Sequence, residues 1–203
     1  MRIALPIGLL LGALAGACAT GEHAAELVLP DPSGAELVVL PVQAEAKATV
    51  FLFAAVDCPI SNAYAPEVHR IRDEYTPRGV DFRLVYADTD STPADVARHV
   101  EDYGYALPAL LDFEHELVRH TGASMTPEAV VLAPDGELVY RGRIDDLWVG
   151  YGKQRPKATR RELRLVLDAV LRGERPEVDW AEPIGCFIPE PAVVEGAAPC
   201  CEE

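Results

Sequence analysis

Thr49-Val50-Phe51-Leu52-Phe53-Ala54-Ala55-Val56 is an apolar run that leads without a break into Asp57-Cys58-Pro59-Ile60-Ser61. A short run that is apolar on both faces is the pattern of a central strand covered from both sides. Beyond it, Tyr64, Val68, Ile71 and Tyr75 recur at the spacing of an amphipathic helix stripe. Cys58 therefore falls where a buried strand hands over to a helix N-terminus. Unpaired backbone N–H groups and the helix dipole favour an anion there. For cysteine that anion is the thiolate, the form that does chemistry. A free cysteine also commonly serves as a small buried hydrophobe, but the strand-to-helix position favours the reactive reading.

Outward from this turn, elements alternate. Ala35–Val42 reads as a first strand, preceded by tether and loop over Thr20–Pro32. Pro66 must kink the helix that follows Cys58 or mark its first turns, and Thr76-Pro77-Arg78-Gly79 ends it. Asp81–Ala87 is the next strand. Thr92-Pro93 opens a helix with a cap residue and a proline at its first position, with Val96, Val100 and Tyr103 as its inner face. A brief extended piece at 109–112 and a short helix from Glu114 to His120, closed by Gly122, come next. Glu128–Ala133 and Glu137–Ile144 flank the turn Pro134-Asp135-Gly136 as a hairpin. Thr159–Arg172 is a helix with Leu163, Val166, Leu167, Val170 and Leu171 on one face. Such an alternation implies one three-layer α/β domain, a central sheet flanked by helices. Residues 174–203, with five prolines, read as an extended tail.

The chain has 203 residues and a formal charge of −15, which argues against nucleic acid or an anionic membrane surface as partner. Its first residues place it. Met1-Arg2 is a short positive region and Ile7–Leu14 an apolar core too short to span a bilayer. Ala15-Gly16-Ala17-Cys18 then supports two readings: a signal-peptidase site that releases an exported protein, or a lipobox in which Cys18 is lipidated. The lipobox match departs from the usual pattern, with Ala15 where Leu is expected and Leu14 one position earlier. Both readings, and the further one of an uncleaved anchor, place the domain in an oxidising space, the bacterial periplasm or cell envelope. A lipid on Cys18 would be its tie to a membrane. The expected organisation is a signal peptide over 1–17, a tether over 18–34, a domain over 35–173 and a cysteine-bearing tail over 174–203.

With Cys58 at the first strand-to-helix turn, the order of elements resembles the thioredoxin fold, in particular exported redoxins near the AhpC/TSA branch. Cys58 and Pro66 keep the eight-residue spacing between the first active-site cysteine and the kink proline of that family. Met125-Thr126-Pro127-Glu128, set before the hairpin strand, resembles the family's cis-proline loop. The resemblance spans roughly residues 35–172 and implies a central mixed sheet, a nucleophilic Cys58, a cis Thr126–Pro127 bond and a role for Thr126-Pro127 in positioning a partner chain. It implies no cofactor and no metal. Protein or small-molecule thiols and disulfides would be the partners.

Departures from the family pattern narrow the reading. Ser61 stands where thioredoxin has its second cysteine, so the turn cannot close a local disulfide. Ser61 can donate to the Cys58 thiolate or cap the helix. Leu52 stands in place of a buried acid, and Asp57, adjacent to Cys58, opposes a thiolate. Peroxiredoxins carry Thr and Pro where Ala55 and Phe51 stand here, which demotes a thiol peroxidase to an alternative. A mixed disulfide on one thiol needs a second thiol for release. Cys186, in the apolar island Ile184-Gly185-Cys186-Phe187-Ile188 with Trp180 upstream as an anchor, is the candidate resolving cysteine. A second alternative is a permanent Cys58–Cys186 staple in a non-catalytic lipoprotein with a metal-binding or assembly role. The vicinal pair Cys200-Cys201 can relay electrons, clamp a soft metal or simply end the chain. His69, His99, His115 and His120 lack ligand spacing, and Arg141-Gly142-Arg143-Ile144-Asp145-Asp146 reads as a solvated edge.

Overall fold

In the computed structural model, residues 26–178 and 180–190 are described. The expected leader, Cys18, and the pair Cys200-Cys201 lie outside these residues. In chain order, β1 (Leu27–Pro30) and β2 (Glu36–Leu40) form an antiparallel ribbon ahead of β3 (Ala48–Ala54). Next come α1 (Pro59–Ala63), α2 (Ala65–Tyr75), β4 (Val80–Tyr86), α3 (Pro93–Asp102), β5 (Ala109–Leu111) and α4 (Glu116–Thr121). Then β6 (Met125–Thr126), β7 (Glu128–Leu132) and β8 (Leu138–Gly142) lead to the small ribbon β9 (Trp148–Gly150) and β10 (Lys153–Gln154). Helix α5 (Glu162–Leu171) and strand β11 (Cys186–Phe187) complete the described chain.

Strand β3 is buried at every position, as its unbroken apolar run demands. It lies at the centre of a five-stranded mixed sheet of order β5-β4-β3-β7-β8. Strands β4 and β5 run parallel along one side, and β7 and β8 run antiparallel along the other. Strand alternation sends Val50, Leu52 and Ala54 into one core with Val68 and Ile71 of α2, Val96 of α3, and Leu163, Val166 and Leu167 of α5. Phe51 and Phe53 enter the opposite core with Leu29 and Val39 of the ribbon and Leu117 of α4. The result is the three-layer α/β architecture, a thioredoxin-like fold.

Three expectations need correction. The stretch read as tether carries β1, whose Leu29 is buried, so the domain begins before residue 35. The helix after Cys58 is two helices that meet at Tyr64, with Pro66 in the first turn of the second. Proline lacks an N–H, and the first turn is where none is needed. On α3 the buried positions are Val96 and His99, while Tyr103 lies at the surface.

Leu163 is fully buried at the junction of α5 with the sheet. Leu163→Ala leaves a cavity there and should lower unfolding free energy by ~2–5 kcal/mol, read from urea denaturation of the reduced protein.

Candidate active site at the β3–α1 turn

The register of β3 fixes the turn. The strand ends at Ala54, and Cys58 takes the N-cap position of α1 with an extended backbone (φ −81°, ψ 108°). Pro59 follows at the first helical position, where its fixed φ suits the helix. The Ser61 backbone N–H points at the Cys58 sulfur, N···Sγ 3.4 Å. The sulfur itself is therefore the cap, and the backbone of Ser61, rather than its hydroxyl, makes the contact assigned to this residue from the sequence. The Cys58 thiol donates to the carbonyl of Thr126 at 3.1 Å, and Cys58 is only 1% exposed.

Thr126–Pro127 is a cis peptide, and so is Leu40–Pro41, which the sequence reading did not anticipate. The loop is held from below by Glu128, buried within β7. Its carboxylate accepts from the backbone N–H groups of Ser124 (2.8 Å) and Met125 (3.1 Å) and pairs with Arg141 at 3.5 Å. Burial pushes this carboxyl above the ordinary glutamate range, against the pull of those N–H donors and of Arg141. Neither Glu128 nor Arg141 was singled out as a support of the loop. A carboxylate three residues after Met125, within reach of its backbone N–H, is the signal that could have found it.

The tail returns to this loop. Strand β11 pairs antiparallel with β6, with Cys186 opposite Thr126 and Phe187 opposite Met125. The Ile188 N–H extends the contact to the Ser124 carbonyl at 3.0 Å. Two glycines make room. A Cβ on Gly185 would come within 1.8 Å of the Thr126 carbonyl oxygen, and one on Gly142 within 2.5 Å of the Ala181 carbonyl oxygen. Trp180 is half exposed, yet its ring lies beneath the Arg141 guanidinium, 5.1 Å from the ring centroid. Tyr151, in the β9–β10 turn, donates its hydroxyl to the Gly185 carbonyl and reaches the Cys186 thiol.

Cys58 and Cys186 are both free thiols within hydrogen-bonding reach of one another. Burial, then the neighbouring Cys58, pushes the Cys186 thiol up to about 11, with the Tyr151 hydroxyl opposing the shift. Together with Ala55, Asp57, Asp88, Thr126, Phe187, Ile188 and Pro189, the two cysteines line a cavity of about 200 Å³. A larger cavity, about 600 Å³, is lined by β1–β2 and the β7–β8 turn at the other end of the sheet, away from both thiols.

Beneath the turn, Asn62 links the Val56 carbonyl (3.0 Å) to Nε2 of His99 (2.7 Å), and His99 Nδ1 meets the Tyr86 hydroxyl at 2.8 Å. Burial lowers the pKa of His99, despite the nearby Asp102 and Asp57. His99 is therefore a structural strut. Arg143-Ile144-Asp145-Asp146 is likewise no solvated edge. Asp145 accepts from the Tyr64 hydroxyl at 2.6 Å, and Asp146 accepts from the Thr159 and Arg160 backbone N–H groups at 2.6 and 2.9 Å. Among the described residues, no cluster of three or more His, Cys, Asp or Glu side chains could hold a metal ion. No helix among them is long and apolar enough to cross a membrane.

A family model described as Redoxin matches residues 19–149, well over half of the chain. The chain belongs to the redoxin family. A curated relative of this redoxin, the thiol-disulfide oxidoreductase ResA of Halalkalibacterium halodurans, is 24% identical over 119 residues. The match takes in 59% of this chain but only 65% of that one, less than two-thirds of its length. A hypothetical protein of Sinorhizobium meliloti 1021 superposes with a TM-score of 0.70 at 28% identity, covering 81% of this chain and 91% of the other. A secreted disulfide oxidoreductase of Mycobacterium tuberculosis shares the fold, at TM-score 0.51 and 18% identity over 72% of this chain and 95% of that one.

Two measurements check this geometry. Only the thiolate alkylates, so iodoacetamide labelling of Cys186 in the reduced protein should rise about tenfold per pH unit between roughly pH 7 and 9 with no plateau. For Glu128, the folded chain binds its proton more tightly than the unfolded one. Its contribution to stability therefore falls as pH rises from 4.5 through the raised folded value. Glu128→Gln should flatten that part of the stability–pH profile, read from urea midpoints.

Proposed function

We propose that this redoxin is an exported thiol–disulfide oxidoreductase, with Cys58 as nucleophile and Cys186 as resolving cysteine. The observation that carries this is the β11–β6 pairing. It sets Cys186 opposite Thr126, whose carbonyl accepts from the Cys58 thiol. The Cys58 thiolate attacks one sulfur of a disulfide R–S–S–R′, forming Cys58–S–S–R and releasing R′–S⁻, which takes up the proton that Cys58 gave up. Cys186 then gives its proton to solvent and attacks Cys58 Sγ. The Cys58–S–R bond breaks, R–S⁻ leaves and is protonated, and a Cys58–Cys186 disulfide remains. Two electrons have passed from the cysteine pair to the substrate. Run in reverse, the oxidised pair takes two electrons from a dithiol.

The raised Cys186 pKa suits this order of events. At neutral pH the Cys186 thiol is protonated, so it does not compete with Cys58 for the incoming disulfide. Thr126 and Pro127 carry a strand edge of the kind on which an extended chain aligns, here occupied by β11, and Ser61 presents its N–H to the sulfur. Ala55 and Phe51 stand where a peroxiredoxin has its threonine hydroxyl and its proline, so the donors that polarise a peroxide over Cys58 are missing and the disulfide reading is preferred to the peroxidase one. Export rests on residues 1–17, with Cys18 as lipid acceptor, and Cys200-Cys201 would serve as a terminal dithiol that recharges the pair. The catalytic domain spans the described elements from β1 to α5, and the tail from 174 onward supplies the second thiol.

The test combines mapping and potential. Non-reducing peptide mass analysis of the oxidised protein should find Cys58 joined to Cys186, and Cys186→Ser should accumulate mixed disulfides at Cys58. Dithiothreitol-driven disulfide reduction should be lost in both Cys58→Ser and Cys186→Ser. The couple should titrate within about −120 to −270 mV. A value below about −300 mV without turnover would instead mark a permanent staple.

A further inference from the structure

We infer that the docked tail is a built-in stand-in for a polypeptide substrate. With the tail in place, the site takes low-molecular-weight disulfides of neutral or positive charge, and a polypeptide enters only when β11 is released. This inference rests on the reading of Cys58 as a nucleophile.

The β6 edge beside Cys58 offers the backbone groups that an extended chain would use to bring its own cysteine to the Cys58 sulfur. In this protein those groups are taken. Cys186 pairs with Thr126, Phe187 with Met125, and the Ile188 N–H with the Ser124 carbonyl. Strand alternation turns Cys186 inward to Cys58 and Phe187 outward, where it is 78% exposed. The residue opposite Thr126 is thus a cysteine of the chain itself, standing where an incoming polypeptide cysteine would stand. Both cannot pair with β6 at once.

The tail is also fastened by contacts that leave little slack. Gly185 lies so close to the Thr126 carbonyl that any side chain would force it away. The Tyr151 hydroxyl holds the Gly185 carbonyl from the β9–β10 side, and the Arg143 N–H donates to the Ala181 carbonyl at 3.0 Å. What remains open beside the sulfurs is the cavity of about 200 Å³. Among the described residues, its two charged lining residues are Asp57 and Asp88, and none of those lining it is Lys or Arg. A carboxylate-bearing disulfide meets repulsion there, and an ammonium-bearing one attraction.

Single-turnover thiol exchange in the Cys186→Ser protein tests this, because the reaction stops at the mixed disulfide. With cystamine, the Cys58 thiolate forms Cys58–S–S–CH2CH2NH3⁺ and releases cysteamine thiolate, which is then protonated. Three probes are compared: cystamine, oxidised glutathione and the disulfide-linked dimer of an unstructured single-cysteine peptide. Each rate is divided by that of a free alkyl thiolate with the same probe. Cystamine should exceed both others by about tenfold or more, and its lead over oxidised glutathione should shrink with added salt. Adding Gly185→Ala, or the milder Tyr151→Phe, should raise the peptide-to-cystamine ratio, by about tenfold for the former and severalfold for the latter. Amide exchange at Cys186–Ile188 reports tail release independently in each variant.

A peptide rate that matches cystamine while the tail is docked overturns the inference. So does a ratio that stays fixed while amide exchange shows the tail released. If Cys58 of the folded protein reacts with none of the three probes, and does so once unfolded, the oxidoreductase reading itself is what fails.

Discussion

The pairing of β11 with β6 is the contact on which the site depends. A two-residue ladder has little stability alone, since an isolated strand pair is marginal in water. Here it is reinforced by close backbone approach at Gly185 and Gly142, by Trp180 under Arg141, and by the Tyr151 hydroxyl. These contacts are spread over β6, β8 and the β9–β10 turn, so the tail is located by the whole edge of the domain. The dependence also runs the other way. Tail and cis-proline loop together cover Cys58, so the sulfur that follows the longest fully buried strand is shielded by the last described segment of the chain.

A second layer of buried polar groups holds the frame beneath the sulfur. Asn62, His99 and Tyr86 tie the turn to β4 and α3, and Glu128 ties the loop to Arg141 on β8. Asp145 and Tyr64 fix the junction where α1 gives way to α2. Buried groups of this kind cost free energy unless fully bonded, and they are bonded here. Their raised or lowered pKa values record the cost of burial rather than a role in proton transfer. Leu52, which occupies the place of an acid in related folds, leaves no carboxylate beneath Cys58 on that face of β3.

Much of this was legible in the sequence because the signals are local. The apolar run, the helical stripe, Pro66 and the turn Pro134-Asp135-Gly136 announce the sheet, the helices and the hairpin within short windows. The island around Cys186 was legible as a segment that must dock, since an apolar stretch in a proline-rich tail needs cover. The register that sets Cys186 opposite Thr126 was not, because strand pairing between residues so distant leaves no trace in either segment. Strand β1 was missed because Leu27-Val28-Leu29 is short and runs straight into Pro30-Asp31-Pro32, the composition of a loop. Asp145 and Asp146 were misplaced for a similar reason. Their partners are Tyr64, Thr159 and Arg160, and nothing adjacent to them marks them as buried.

Cys58 and Cys186 are 128 positions apart, yet the fold delivers them side by side. Joining them removes a large loop from the freedom of the unfolded chain, an effect of about 4 to 5 kcal/mol in the chain-entropy account. In the proposed pairing, the oxidation state of one bond and the folding equilibrium of the domain are linked quantities. Whatever the native geometry adds to the tendency of the two sulfurs to join, it adds equally to the stability of the oxidised fold over the reduced one. Each turnover would thus pass the molecule between a tighter and a looser form of the same architecture.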